Sequence, residues 1–135
     1  MDYLFDTNHA SKILEGNESL SLRVDALKNS GSRFSISVSV LGELFFAVYA
    51  SKRKEKNLLQ LKGFLEDVIL WEYDVIAAEE FGKIQAEQKA KGKPIPSIDA
   101  QIAAVARIHN LTVLSTDQHF RLLDGLNVED WLQIP

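Results

Sequence analysis

The chain has 135 residues, of which 46% are hydrophobic, with a formal net charge of -4 and no cysteine. That length suits one globular domain, residues 1–135, with a sizeable core, and the lack of cysteine excludes a disulfide framework or thiolate metal site and points to a reducing, cytoplasmic setting. The opening residues lack the features of a secretion signal, no apolar run approaches the roughly 18 residues of a membrane span, and the charge argues against coating nucleic acid by bulk electrostatics while leaving a metal-dependent nuclease open.

Tyr3, Leu4 and Phe5 form an uninterrupted apolar run, as expected of a strand covered on both faces of a parallel sheet. Asp6 follows where that strand should end, with Thr7 and Asn8 as turn or cap residues. A short helix over His9 to Glu15 and a second marked by Leu20, Val24 and Leu27 lead to Phe34-Ser-Ile-Ser-Val38, whose alternation reads as a second strand. Ser39 then suits the N-cap of a helix burying Leu41, Leu44, Phe45 and Val48. After the basic turn Ser51 to Lys56, a helix with Leu58, Leu61 and Leu65 inward precedes a third strand over Val68 to Trp71. Asp74 to Lys91 reads as a long helix with Ile76, Ala77, Phe81, Ile84 and Gln88 on one side and Gly92 ending it. Lys93-Pro-Ile-Pro-Ser97 is a stiff extended linker, and Ser97 caps a helix bearing Ile98, Ile102, Val105 and Ala106. Leu111 to Ser115 is a fourth strand, and the tail Leu126 to Trp131 is a weaker fifth at an edge. This alternation predicts a three-layer α/β/α fold with a mostly parallel sheet of about five strands.

Four acids, Asp6, Glu43, Asp99 and Asp117, each fall just beyond or beside an apolar segment. Singly each has an ordinary explanation. Asp6 and Asp117 suit turns or caps, while Glu43 and Asp99 suit the start of a helix, where the dipole favours negative charge. Gly42 beside Glu43 costs roughly 1 kcal/mol in a helix relative to alanine, which suggests close approach by another group there. The topology predicts that the ends of strands one and four are neighbours, with helix starts beside them, so the four carboxylates should crowd one pocket. At 4 Å two like charges repel by about 4 kcal/mol even at an effective dielectric of 20. A cation or protonation is then needed. With no cysteine and no histidine at ligand spacing, the oxygen donors suit Mg²⁺ or Mn²⁺, whose chemistry between carboxylates is phosphoryl transfer by activated water.

In order and spacing, Leu-Phe-Asp6-Thr-Asn8, Ser-Val-Leu-Gly-Glu43-Leu, Pro-Ile-Pro-Ser-Ile-Asp99-Ala-Gln and Leu-Ser-Thr-Asp117-Gln-His-Phe120 resemble the motifs of PIN-domain ribonucleases. Within that superfamily the size and the closing Gly125 to Trp131 are similar to the VapC toxins of bacterial VapBC toxin-antitoxin pairs. The resemblance implies a metal-dependent endoribonuclease acting on structured RNA, often transfer or ribosomal RNA, with Asp6, Glu43, Asp99 and Asp117 as acidic ligands. It further implies that Thr7, Asn8, Ser115 and Thr116 tune the pocket by hydrogen bonding, and that the protein forms a homodimer blocked by a cognate VapB-like antitoxin.

Other readings fit less well. A haloacid-dehalogenase-like phosphatase needs a second acid two residues after the first, where this chain has Asn8. A receiver domain wants paired acids after its first strand and a phosphoacceptor aspartate after its third, where this chain has Glu72-Tyr-Asp74. A catalytically inactive PIN-fold interaction module is the remaining alternative. Lys52, Arg53, Lys54 and Lys56, and Lys83, Lys89, Lys91 and Lys93 near the proline linker, are possible RNA contacts, with solvated helix surface as the ordinary explanation. His9, Trp71 and Trp131 read as packing residues.

Overall fold

A computed structural model describes residues 1–132. Strands β1 (Asp2–Phe5), β2 (Arg33–Ser37), β3 (Ile69–Trp71), β4 (Thr112–Leu114) and β5 (Val128–Glu129) form one sheet in the order β3-β2-β1-β4-β5. Every pairing is parallel. Helices α1 (Thr7–Leu14), α2 (Glu18–Asn29), α3 (Val38–Tyr49), α4 (Lys54–Glu66), α5 (Val75–Lys91) and α6 (Ser97–His109) connect the strands, and a 3-10 turn (Gln118–Leu122) follows β4. Right-handed crossovers put α1 to α4 over one face and α5 with α6 over the other, giving the three layers expected. Among the described residues no helix is long and apolar enough to cross a membrane.

This strand order fixes where a ligand can sit. The chain leaves β1 toward β2 and later returns to β1's other side as β4, so the carboxyl ends of β1 and β4 flank the switch point, the usual crevice of an open parallel sheet. Phe5 lies opposite Leu114 in the register. Asp6 N–H extends that pairing by one bond, to the Leu114 carbonyl at 3.0 Å. The first residue after β1 is therefore tied to the end of β4.

The uninterrupted run in β1 is buried as its composition predicts, with Leu4 0% exposed. The alternation in β2 has a different cause from a half-exposed strand. Ser35 and Ser37 are buried as well. Ser35 Oγ donates to the Tyr3 carbonyl at 2.7 Å, and Ser37 Oγ accepts from Val40 N–H at 3.3 Å. Ser37 is thus the N-cap of α3, not Ser39, and Val38 is a half-exposed first helical residue rather than the last of the strand. Likewise α6 has Pro96 at its cap position with no side-chain cap, so Ser97 is its first residue and not its cap. Two expected core positions, Ile76 in α5 and Ile98 in α6, are exposed; each lies in a helix's first turn, before the helix settles on the sheet.

The tail is secured from α1. His9 is fully buried, and its Nε2 accepts the Trp131 N–H at 3.0 Å, while the Trp131 ring packs edge-on against Tyr3 at 4.9 Å and lies under the Arg23 guanidinium at 4.0 Å. Trp71, at the other edge, stacks on His109 at 3.8 Å. Burial pushes the His9 pKa from 6.5 down to about 4, opposed by the nearby charge of Asp130. The sign follows from linkage. The unfolded chain binds this proton more readily, so His9's contribution is whole above about pH 6.5 and is lost as the pH falls toward about 4. Urea unfolding at about pH 7 and about pH 5 should show a loss of about 2 kcal/mol in the parent beyond that in His9→Gln, which keeps an acceptor for Trp131 without a charge change in this range. Equal losses in the two proteins would place the acid sensitivity elsewhere.

Candidate metal centre at the switch point

Asp6, Thr7, Asn8, Glu43, Pro96, Ile98, Asp99, Thr116, Asp117 and His119 line a cleft of about 390 Å³ at the carboxyl edge of the sheet. All four sequence-predicted acids therefore converge, each from a different element. Asp6 is the N-cap of α1, Glu43 projects from α3, Asp99 sits in the first turn of α6, and Asp117 caps the 3-10 turn after β4.

The acids at the strand ends are held by one hydroxyl. Ser115 Oγ donates to Asp6 Oδ2 at 2.7 Å and accepts from Asp117 N–H at 2.9 Å. The other oxygen of Asp6 accepts from Thr7 N–H at 2.8 Å. Thr7 Oγ1 donates to Glu43 Oε1 at 2.9 Å, drawing α3's acid toward α1, and Asn8 Nδ2 donates to Thr116 Oγ1 at 3.0 Å across the same gap. Ser39 Oγ donates to Gln101 Oε1 at 2.9 Å, joining α3 to α6 near the acids. The four polar residues expected to tune the pocket all make such bonds.

His119 was not anticipated. The sequence reading found no histidine at ligand spacing, yet His119 Nδ1 lies 2.8 Å from Asp99 Oδ2 and 2.9 Å from Asp117 Oδ1. The 3-10 turn is the cause: Asp117 Oδ1 accepts the His119 N–H at 2.9 Å, which coils the backbone so that the imidazole folds back beside the carboxylate two residues earlier. Ligating atoms of Asp99, Asp117 and His119 lie within 4.8 Å of one another. An aspartate cap with histidine at its second following residue was the available signal.

The electrostatics match this crowding. Burial lifts the Asp6 carboxyl above the ordinary aspartate range, against the hydrogen bonds from Ser115 and Thr7, and the charge of Asp117 lifts it further. Burial also raises Asp99; the hydrogen bond from His119 opposes this, and the charges of Asp117 and Asp6 add to it. The same bond to Asp99 raises the His119 pKa, by favouring the imidazolium. Among the described residues no lysine or arginine lines the cleft. Lys91 is paired with Asp124 at 2.7 Å and Lys83 with Glu79 at 3.6 Å, and the cluster Lys52 to Lys56, around the start of α4, does not line the cleft. His9 is in the core rather than the cleft. A Cβ added at Gly42 would meet nothing within 4 Å, so no described residue is the close neighbour its sequence suggested.

Comparison with known proteins agrees with this geometry. The chain is 31% identical over 132 residues, 97% of its length and 98% of the relative's, to the tRNA(fMet)-specific endonuclease VapC of Shigella flexneri. It superposes on a structure of VapBC2 from Rickettsia felis bound to a promoter DNA fragment with a TM-score of 0.89 and 27% identity, covering 97% of this chain and 99% of that one. Against DNA-bound VapBC from Salmonella typhimurium the TM-score is 0.87 and the identity 31%, covering 97% and 98%. Residues 3–126 match the PIN domain family, a span that takes in all four acids and the switch point, and the chain belongs to that family.

Proposed function

We propose that this protein is a divalent-cation-dependent endoribonuclease, the toxin of a VapBC toxin-antitoxin pair, that cleaves structured RNA such as transfer or ribosomal RNA in the cytoplasm. The observation that carries the reading is the meeting of four carboxylates from four elements in a cleft that, among the described residues, no lysine or arginine lines. Such a cleft repels a phosphodiester unless cations reverse its charge. Asp6, Glu43, Asp99 and Asp117 are the acids that hold the ion, and the donor set fits: carboxylate oxygens suit Mg²⁺ or Mn²⁺. A bound ion would supply a Lewis acid and a more acidic water there.

The remaining residues have roles that need no ion to describe. Ser115 and Thr7 fix the rotamer of Asp6, Thr7 aims Glu43, and Asn8 with Thr116 closes the rim. The relatives' names as an endonuclease and their structures as VapBC complexes support an RNA substrate and a VapB-like antitoxin. A groove of about 360 Å³ between α1, α3 and α4, lined in part by Leu14, Leu44, Ala47 and Val48, with Phe46 and Leu59 exposed on the same helices, gives such a protein partner apolar surface to cover. An inactive interaction module would have no use for carboxyls whose ionisation burial opposes, and that counts against it.

Mn²⁺ or Mg²⁺ should raise the melting temperature of the parent, by the equivalent of about 2.7 kcal/mol at a hundredfold excess over the dissociation constant. Asp99→Asn should lose most of that shift together with RNA cleavage and growth arrest, and sequencing of RNA ends after brief induction would name the target. A soluble parent that ignores both ions, with no new RNA ends, would leave the inactive module standing. Ser115→Ala should cost about 1–3 kcal/mol in urea unfolding, because it strands Asp6 Oδ2 and the Asp117 N–H. A smaller cost would mean that water takes over both bonds.

A further inference from the structure

We propose that His119 is itself a ligand of the bound ion through Nδ1, making the centre a mixed nitrogen-oxygen site that favours Mn²⁺ over Mg²⁺. This inference rests on the metal-site reading above and adds a donor to it. Three observations support it. In an octahedral site with bonds of roughly 2.0–2.2 Å, neighbouring donors stand roughly 2.8–3.1 Å apart, the bond length times the square root of two. The imidazole Nδ1 stands 2.8 Å from Asp99 Oδ2 and 2.9 Å from Asp117 Oδ1, so it is at a neighbouring-donor distance from each of the two oxygens.

Second, the ring stands at the oxygens an ion would use: Nδ1 is close to both Asp99 Oδ2 and Asp117 Oδ1, so an ion bound between these oxygens on that side meets the ring. Third, the backbone that carries the ring is pinned. Asp117 Oδ1 accepts the His119 N–H, the next residue, Phe120, is fully buried, and the end of the 3-10 turn is held by Gln88, whose Nε2 reaches the carbonyls of Lys93 at 2.9 Å and Leu122 at 3.5 Å. Gln88 is itself fully buried and so ties the linker before Asp99 to the turn bearing His119. With both segments fixed, the backbone that carries the ring stays within reach of the acids. Imidazole is a softer donor than carboxylate and suits first-row transition ions better than Mg²⁺.

Mn²⁺ is the probe. Pulsed electron paramagnetic resonance of Mn²⁺ bound to the full-length parent should show a directly bound ¹⁴N coupling, which changes to that of ¹⁵N when the histidines are isotopically labelled and vanishes in His119→Ala. Calorimetric titration should show Mn²⁺ binding weakened roughly tenfold or more in His119→Ala, while Mg²⁺ binding changes much less. An imidazole that merely donates a proton to the two carboxylates predicts the opposite: no nitrogen coupling in the parent, and His119→Ala binding both ions as tightly or more tightly. Either result overturns the proposal while leaving the metal site in place, whereas failure of the parent to bind either ion removes both readings. The measurement on the parent needs no variant, so it decides even if His119→Ala folds poorly.

Discussion

The hydroxyl of Ser115 is the joint on which the cleft depends. A serine hydroxyl has one proton to give, and here it goes to Asp6 Oδ2, leaving its lone pairs for the Asp117 N–H. The ends of β1 and β4 are thereby fixed in register by a side chain as well as by the Asp6-to-Leu114 backbone bond. Ser115 is buried, so neither bond competes freely with water. From this joint the remaining acids are reached by short links. Thr7 follows Asp6 and holds Glu43, while Asp117 opens the turn that carries His119 to Asp99.

Much of this was legible in the residues, for identifiable reasons. An apolar run ended by an acid, as at Phe5-Asp6 and again before Asp117, encodes a strand buried on both faces that surfaces only at its end, and parallel topology then places both ends together. What was misread lay where two causes produce one pattern. Ser35 and Ser37 alternate with apolar residues as solvent-facing positions would, but they are buried because their hydroxyls bond locally. The same ambiguity moved the start of α3 by two residues, since Ser37 and Ser39 are equally good caps on paper and only the end of β2 decides between them. His119 was not legible as a donor because its place depends on the 3-10 turn, which brings residues two apart onto one side.

The cleft is in tension with the fold that carries it. Burial disfavours ionisation of Asp6 and Asp99, and the charges of the neighbouring acids disfavour it further. The compensation lies elsewhere. β1 is covered on both sides, Tyr3 stacks on Phe34 at 5.0 Å and Phe5 on Phe34 at 5.3 Å, and the buried face of α6 from Ala100 to Ala106 presses small side chains close to the sheet. The first turn of α6, where Asp99 sits, is thus the mouth of a rigid helix, and rigidity is what holds like charges at short range.

The same arrangement constrains how RNA could approach. The chain carries net negative charge and the cleft adds to it locally, so steering must come from cations outside the lining. Of the lysines near the proline linker, Lys91 is paired with Asp124 and Lys83 with Glu79, whereas Lys89 and Lys93 are exposed beside the segment leading to Asp99. These two lysines precede the linker to Asp99 and do not line the cleft. A lysine among the acids would neutralise them and displace the cation that phosphate needs; a lysine at the approach attracts the backbone and leaves the centre free for the ion. Separating attraction from chemistry in this way would let an acidic endoribonuclease, as proposed, act on a polyanion. It also makes the strength of binding more dependent on salt than the geometry at the acids, because fully exposed charges are screened more than the part-buried Asp6 and Asp99.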